Sequence, residues 1–200
     1  MEPIASFKVI LVGNSGQGKT TLIERLKLGE FFRHFIPTLG VDVQNVIFQT
    51  NRGPVELRLW DCGGNPRWAG LHTGYYLEAD GALVMTTNFS KSTGVGSTKI
   101  PYSAEGWLAS VRSELPKCPM LLIQNFTDLQ GAPNRDGVYQ RLCQKYQAKW
   151  FQISVRDDVG IQAPFLEMVR QLMQDPKLTF LGESKFPPPQ LNLPAETSAL

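Results

Sequence analysis

Phe7 to Val12 is an almost unbroken apolar run that stops at Gly13, as a strand buried on both faces does. Within Thr20 to Leu28, Leu22, Ile23 and Leu26 fall on one helical stripe, closed by Gly29. Val41 to Gln49 and Val55 to Trp60 predict a pair of strands joined as a hairpin by the polar turn Asn51-Arg52-Gly53-Pro54. Gly81 to Met85, Met120 to Ile123 and Trp150 to Ile153 predict further short strands. Trp107, Leu108, Val111 and Leu115 repeat at helical spacing, as do Tyr139, Leu142, Cys143 and Tyr146. Phe165, Met168, Val169, Leu172 and Met173 form a last amphipathic stripe.

This alternation predicts an α/β fold. Its sheet is mainly parallel, of about six strands, flanked by helices on both faces, and the hairpin adds one antiparallel edge. The pattern stops near Leu181, and Pro187-Pro188-Pro189 and Pro194 exclude helix or paired strand beyond it. The chain therefore divides into a domain over residues 1–180 and an extended or disordered tail over 181–200. Ser90 to Tyr102 is polar and without period, and reads as a long surface loop.

Composition narrows the chemistry. The 200 residues are 42% hydrophobic and 19% charged, enough for a core that needs neither metal nor disulfide. Lys+Arg number 20 against 18 Asp+Glu, which gives no reason to expect direct binding to nucleic acid or attraction to an anionic membrane. Cys62, Cys118 and Cys143 cannot all pair and lack zinc-site spacing, so reduced thiols in a reducing compartment are expected. No secretory signal, spanning apolar run or prenylatable C-terminal cysteine is present, so a soluble intracellular protein without a membrane anchor is expected; a monomer is expected as well. His34 and His72 have no metal-like spacing and are expected at the surface.

Gly13-Asn14-Ser15-Gly16-Gln17-Gly18-Lys19-Thr20 satisfies G-x-x-x-x-G-K-[ST] between a predicted buried strand and a predicted helix, with Thr21 next in that helix. Glycines let backbone N–H groups curl round phosphate oxygens, and the helix N-terminus adds its positive dipole end. Lys19 supplies a mobile charge for the β- and γ-phosphates, and the Thr20 hydroxyl can ligate Mg²⁺. Further on, Leu57-Arg58-Leu59-Trp60-Asp61-Cys62-Gly63-Gly64 puts an acid at the end of a buried strand, followed by glycines. In P-loop proteins an Asp there serves the metal, and a glycine N–H such as that of Gly64 meets the γ-phosphate.

With these residues in place, the chain resembles the Ran type of small GTPase, the nuclear-transport branch of the Ras superfamily. The resemblance rests on Gly29-Glu30-Phe31, Thr38-Leu39-Gly40-Val41, Thr50-Asn51-Arg52-Gly53-Pro54, Trp60-Asp61, Gly74-Tyr75-Tyr76 and Asp175-Pro176-Lys177-Leu178-Thr179-Phe180. It covers roughly Phe7 to Phe180. It implies the P-loop small-GTPase fold and a site for GTP or GDP with Mg²⁺. Asn14 to Thr21 would hold the phosphates, and Thr20, Thr38 and Asp61 the metal. Thr38 would be the first switch threonine and Gly64 the γ-phosphate reader of the second switch. Phe31 would pack against the guanine or its ribose. Lys19, Thr38 and Asn65 would stand at the reacting phosphate.

Several positions depart from the family pattern. The guanine-reading Asn-Lys-x-Asp is here Asn125-Phe126-Thr127-Asp128. Asp128 keeps the base reader. Phe126 either stacks where the lysine stem would lie or is a core residue on a remodelled loop. The Ser-Ala-Lys element is Ser154-Val155-Arg156, which leaves a Val155 N–H for the base and an arginine in place of the lysine stem. Ser15 replaces a glycine beside the γ-phosphate. Asn65 replaces the glutamine that orients the attacking water: it keeps the amide but loses one methylene, so its reach falls by more than about 1 Å. Trp68 is either an exposed anchor or core, and the acidic tail of the Ran type is missing.

The expected function is a Ran-like guanine-nucleotide switch with slow GTP hydrolysis, found in nucleus and cytoplasm. Its expected partners are importin-beta-type transport receptors, an exchange factor and a GTPase activator. The rival expectation is a nucleotide-binding protein that hardly hydrolyses and binds those receptors constitutively. A P-loop kinase is a third class, but no lid or acceptor motif supports it.

Overall fold

A computed structural model describes residues 2–32, 36–65, 74–88, 103–129, 131 and 134–181. His34, Trp68, His72, the whole predicted loop over Ser90 to Tyr102 and the tail from residue 182 lie outside them. The strands are β1 (Ala5–Val12), β2 (Val41–Thr50), β3 (Gly53–Cys62), β4 (Gly81–Thr87), β5 (Met120–Asn125) and β6 (Lys149–Gln152). The helices are α1 (Lys19–Leu28), α2 (Ala104–Glu114), α3 (Asp136–Tyr146) and α4 (Gln162–Leu172). The strands form one six-stranded sheet in the order β2-β3-β1-β4-β5-β6, and among the described residues its one antiparallel strand pair is β2–β3, as the hairpin predicted. No helix among the described residues is long and apolar enough to cross a membrane.

Alternation along β1 explains the layers. Val9 and Leu11 face α1 and α4 in one core with Leu22, Ile23, Leu26, Phe165, Met168 and Val169. Ile10 and Val12 face α2 and α3 in the other, with Trp107, Leu108, Val111, Tyr139 and Cys143. All three cysteines are free thiols. Burial pushes Cys62 and Cys118 up to about 12 and Cys143 to about 11, so each stays protonated at neutral pH.

Strand order decides where the site lies. β1 pairs with β3 on one side and with β4 on the other, so the chain crosses to opposite sides of β1. The crevice at the C-terminal ends of strands flanking such a reversal is the ligand-binding place of open α/β sheets. The loops after β1, β3 and β5 all leave from that end.

Two closures add to what the pattern predicts. Gly53 and Pro54 belong to β3 rather than to the turn, with Thr50 opposite Gly53 and Gln49 opposite Pro54. The missing Pro54 N–H is tolerated because pairing with β1 begins only at Val55. After α4, the segment from Asp175 docks onto this hairpin. The Asn51 N–H donates to Thr179 O at 3.0 Å, the Leu181 N–H donates to Gln49 O at 2.8 Å, and Arg52 pairs with Asp175 at 2.7 Å. The Phe180 ring stacks on Phe48 at 4.7 Å.

Arg112, in α2, joins the C-terminal ends of two helices. Its guanidinium donates to Pro116 O at 2.9 Å, Cys118 O at 3.0 Å and Tyr146 O at 2.8 Å. Arg112→Ala should lower unfolding stability by about 2–4 kcal/mol, because it removes several charge-assisted bonds and leaves carbonyls at both helix ends unpaired. Urea denaturation measures this, and a loss under about 0.5 kcal/mol, the level of an ordinary surface change, would show that the clamp carries no load.

Candidate nucleotide site

The loop after β1 is shaped by residues that only glycine can supply. Gly13, Gly16 and Gly18 have φ of 141°, 78° and 86°. A Cβ at Gly13 would lie 2.6 Å from Gln17 Oε1 and also collide with Met85 O, and one at Gly18 would lie 2.6 Å from Asn125 Nδ2. Gly18 caps α1 without a side chain, so the first turn presents N–H groups that no side chain satisfies at the positive end of the helix. The Lys19 ammonium, buried at 6% exposure, donates to Gly13 O at 2.9 Å and Asn14 O at 3.0 Å. Burial lowers its pKa, and Asp61 opposes that shift.

Thr20, Thr38 and Asp61 converge beside it. Thr20 Oγ1 donates to Asp61 Oδ2, the two threonine hydroxyls are 3.0 Å apart, and Thr38 Oγ1 donates to Asp61 Oδ2 at 3.3 Å. Asp61 is 1% exposed, and its Oδ1 is buried with no hydrogen-bond partner. Burial raises its pKa, against the Thr20 and Thr38 hydrogen bonds and the Lys19 charge. A buried carboxylate with an orphaned oxygen, beside two hydroxyls, calls for a hard cation. Adjacent oxygens in an octahedron of radius about 2.1 Å are about 3 Å apart, the spacing of the two threonine hydroxyls, so the cluster fits Mg²⁺. Among the described residues no group of three or more His, Cys, Asp or Glu offers a different kind of metal site.

The switch segments meet over the loop. The Gly63 N–H donates to Gly40 O at 2.8 Å, and a Cβ on Gly63 would lie 2.6 Å from Thr38 O. Gly64 is buried so closely on the phosphate loop that a Cβ there would collide with Ser15 N, the Asn14 carbonyl carbon and Gly13 O. Ser15 and Asn65, beside this contact, are both exposed.

On the base side, Asn125 is a crosspiece. Its Nδ2 donates to Gln17 O at 3.0 Å, and its Oδ1 accepts from the Val155 N–H at 3.2 Å. The Val155 N–H, expected to face a base, thus has a partner within the chain. Asp128 accepts from Ser154 Oγ at 2.7 Å. Phe126 is half-buried at a left-handed φ of 64° and lies outside both core clusters, with its ring edge 3.9 Å from a Cβ position on Gly18. That favours the stacking alternative over the core one. Arg156, expected as a stem over the base, instead pairs with Asp128 and Asp157. Phe31 packs against the larger core cluster.

One contact escaped the sequence reading. The Trp107 indole N–H, in α2, donates to Asn14 Oδ1 at 2.8 Å and ties that helix to the phosphate loop. Its signal was available: a tryptophan on a buried stripe needs an acceptor for its N–H.

A glycine-shaped phosphate loop, a buried lysine and an oxygen cluster for Mg²⁺, with two glycine-bearing segments folded across them, define a nucleotide-dependent P-loop switch. The sequence model of the Ras family matches residues 8–174, and the chain belongs to that family: it is a guanine-nucleotide-binding small GTPase of the Mg²⁺-dependent kind.

Proposed function

We propose that this protein is a Ran-type switch, binding GTP or GDP with Mg²⁺, hydrolysing GTP slowly and engaging importin-beta-type transport receptors in nucleus and cytoplasm. An exchange factor and a GTPase activator of the same cycle are the regulators this reading brings with it. The observation that carries the Ran assignment is the contact between two stretches of the resemblance that lie far apart in sequence. Thr50-Asn51-Arg52-Gly53-Pro54 and Asp175 to Phe180 pair through Thr50–Phe180, Asn51–Thr179 and Arg52–Asp175.

In this reading the phosphate loop and Lys19 bind the phosphates, Thr20, Thr38 and Asp61 hold the metal, and Asp128 orients the base. Bound Mg²⁺ would neutralise phosphate charge. The Thr38 and Gly64 segments report the γ-phosphate because their positions depend on contacts that the diphosphate lacks. An importin-beta-type receptor should be recovered about tenfold or more better by protein loaded with a non-hydrolysable GTP analogue than by the GDP form, within the usual range of coupling between sites. A pull-down measures this.

The second reading, a constitutive receptor binder, draws on the chain's own contacts across the switch: Thr38 bonded to Thr20 and Asp61, and Gly63 bonded to Gly40. Equal recovery in the two nucleotide states would select it.

A further inference from the structure

Asp128 is the acceptor that would read the base, yet the chain supplies its counter-charge. Its side chain is 2% exposed, Oδ1 takes the Ser154 hydroxyl at 2.7 Å, and Oδ2 lies 3.3 Å from Arg156 Nη1. Arg156 is itself held from behind, with Nε donating to Asp157 Oδ1 at 2.9 Å and Nη2 to Asp157 Oδ2 at 3.3 Å. The Asp157 N–H in turn donates to Ser154 Oγ at 3.1 Å, so the loop from Ser154 to Asp157 and the Asp128 carboxylate form one closed network. The Arg156 side chain as a whole is 42% exposed, so the charge that pairs with the buried Asp128 comes from a residue at the surface.

Guanine presents only donors to such a carboxylate, N1–H and the 2-amino group. A cation on the same carboxylate weakens both bonds, because part of the acceptor charge is already spent on Arg156. The same cation places a donor beside the acceptor, which suits a purine with an oxygen at C2. Xanthine has that oxygen, and in its nucleotides the base is an anion at neutral pH through loss of the N3 proton.

We propose that Arg156 is a specificity-determining residue which, by sharing the Asp128 carboxylate, opens the site to 6-oxopurine nucleotides bearing an oxygen at C2 and lowers the preference for guanine. The proposal rests on the reading of Asp128 as the base acceptor. Phe126 is compatible with it, since an aromatic face stacks on any purine, whereas a lysine would add a second cation beside Arg156.

The test is equilibrium binding of GDP and XDP, with Mg²⁺, to the full chain and to Arg156→Ala and Arg156→Lys. In Arg156→Ala the ratio of the XDP to the GDP dissociation constant should rise by about tenfold or more, the effect of one charge-assisted hydrogen bond changing sides. Arg156→Lys, which keeps the charge, should fall between. If Arg156 only holds its loop together, both nucleotides weaken equally and the ratio stays put, which overturns the proposal while leaving the guanine site standing. Loss of the base preference on Asp128→Asn with no move toward XDP would instead overturn the reading of Asp128, and the proposal with it.

Discussion

Asp61→Asn should abolish the dependence of this protein's stability on Mg²⁺ while leaving the nucleotide-free fold at least as stable as wild type. The carboxylate is 1% exposed, and one of its oxygens has no hydrogen-bond partner. Burial raises the Asp61 pKa even against the Lys19 charge and the two threonine hydrogen bonds, so the ionised carboxylate is disfavoured in the metal-free fold and its loss relieves the fold. Asparagine keeps an acceptor for Thr20 but not the anion that holds the metal. Wild-type protein saturated with nucleotide and Mg²⁺ at about 1,000 times the dissociation constant gains about 4 kcal/mol, so chelation with nucleotide removal should lower its melting temperature by several degrees. The variant should show almost no response. If EDTA and added GTP leave the wild-type melting temperature unchanged, the oxygen cluster and phosphate loop bind nothing.

The second large effect concerns hydrolysis. A well-studied relative turns over GTP at only about 10⁻⁴ s⁻¹ unaided, because the reaction depends on placing the water and on completing the charge around the phosphate. Asn65 has a shorter reach than glutamine from a backbone fixed by its neighbour Gly64, which is buried against the phosphate loop. Ser15 starts from the same contact, since its backbone nitrogen is one of the atoms Gly64 packs on. A misplacement near 1 Å costs about 10²-fold, so single-turnover hydrolysis should lie well below that of the relative, with weak stimulation by an activator. Asn65→Gln with Ser15→Gly should raise the rate by about 10²-fold, and either change alone by less, because both act on one transition state. A wild-type rate equal to that of the double variant would show that the departures are compensated elsewhere in the chain.

The phosphate loop was legible because everything it needs is contiguous. Residues Phe7 to Leu28 carry the buried strand, the glycines with positive φ and the helix stripe, and each is fixed by sterics or periodicity within a few residues. The parallel order of the remaining strands was legible for a similar reason: apolar runs separated by helical stripes allow few right-handed crossovers. Asp61 and Gly64 were legible once a strand was seen to end there, since the ends of parallel strands at a switch point face one crevice.

What lay beyond the sequence was the pairing of side chains across loops. Nothing in the spacing of Asn125-Phe126-Thr127-Asp128 says that Arg156 reaches Asp128, or that the Val155 N–H goes to Asn125. Those contacts depend on β5 and β6 lying side by side in register, with Gln124 opposite Gln152, which brings the two following loops together. Trp107 meets Asn14 across 93 residues, and Asn51 meets Thr179 across 128, for the same kind of reason. The chain by itself determined its elements, their hands and the phosphate loop, because local sterics and hydrophobic period act within a few residues. Only the tertiary structure decided which carboxylate Arg156 pairs with, where the segment after α4 docks and which hydroxyls gather on Asp61. Those are outcomes of strand order and register, and they place residues far apart in sequence within hydrogen-bond distance.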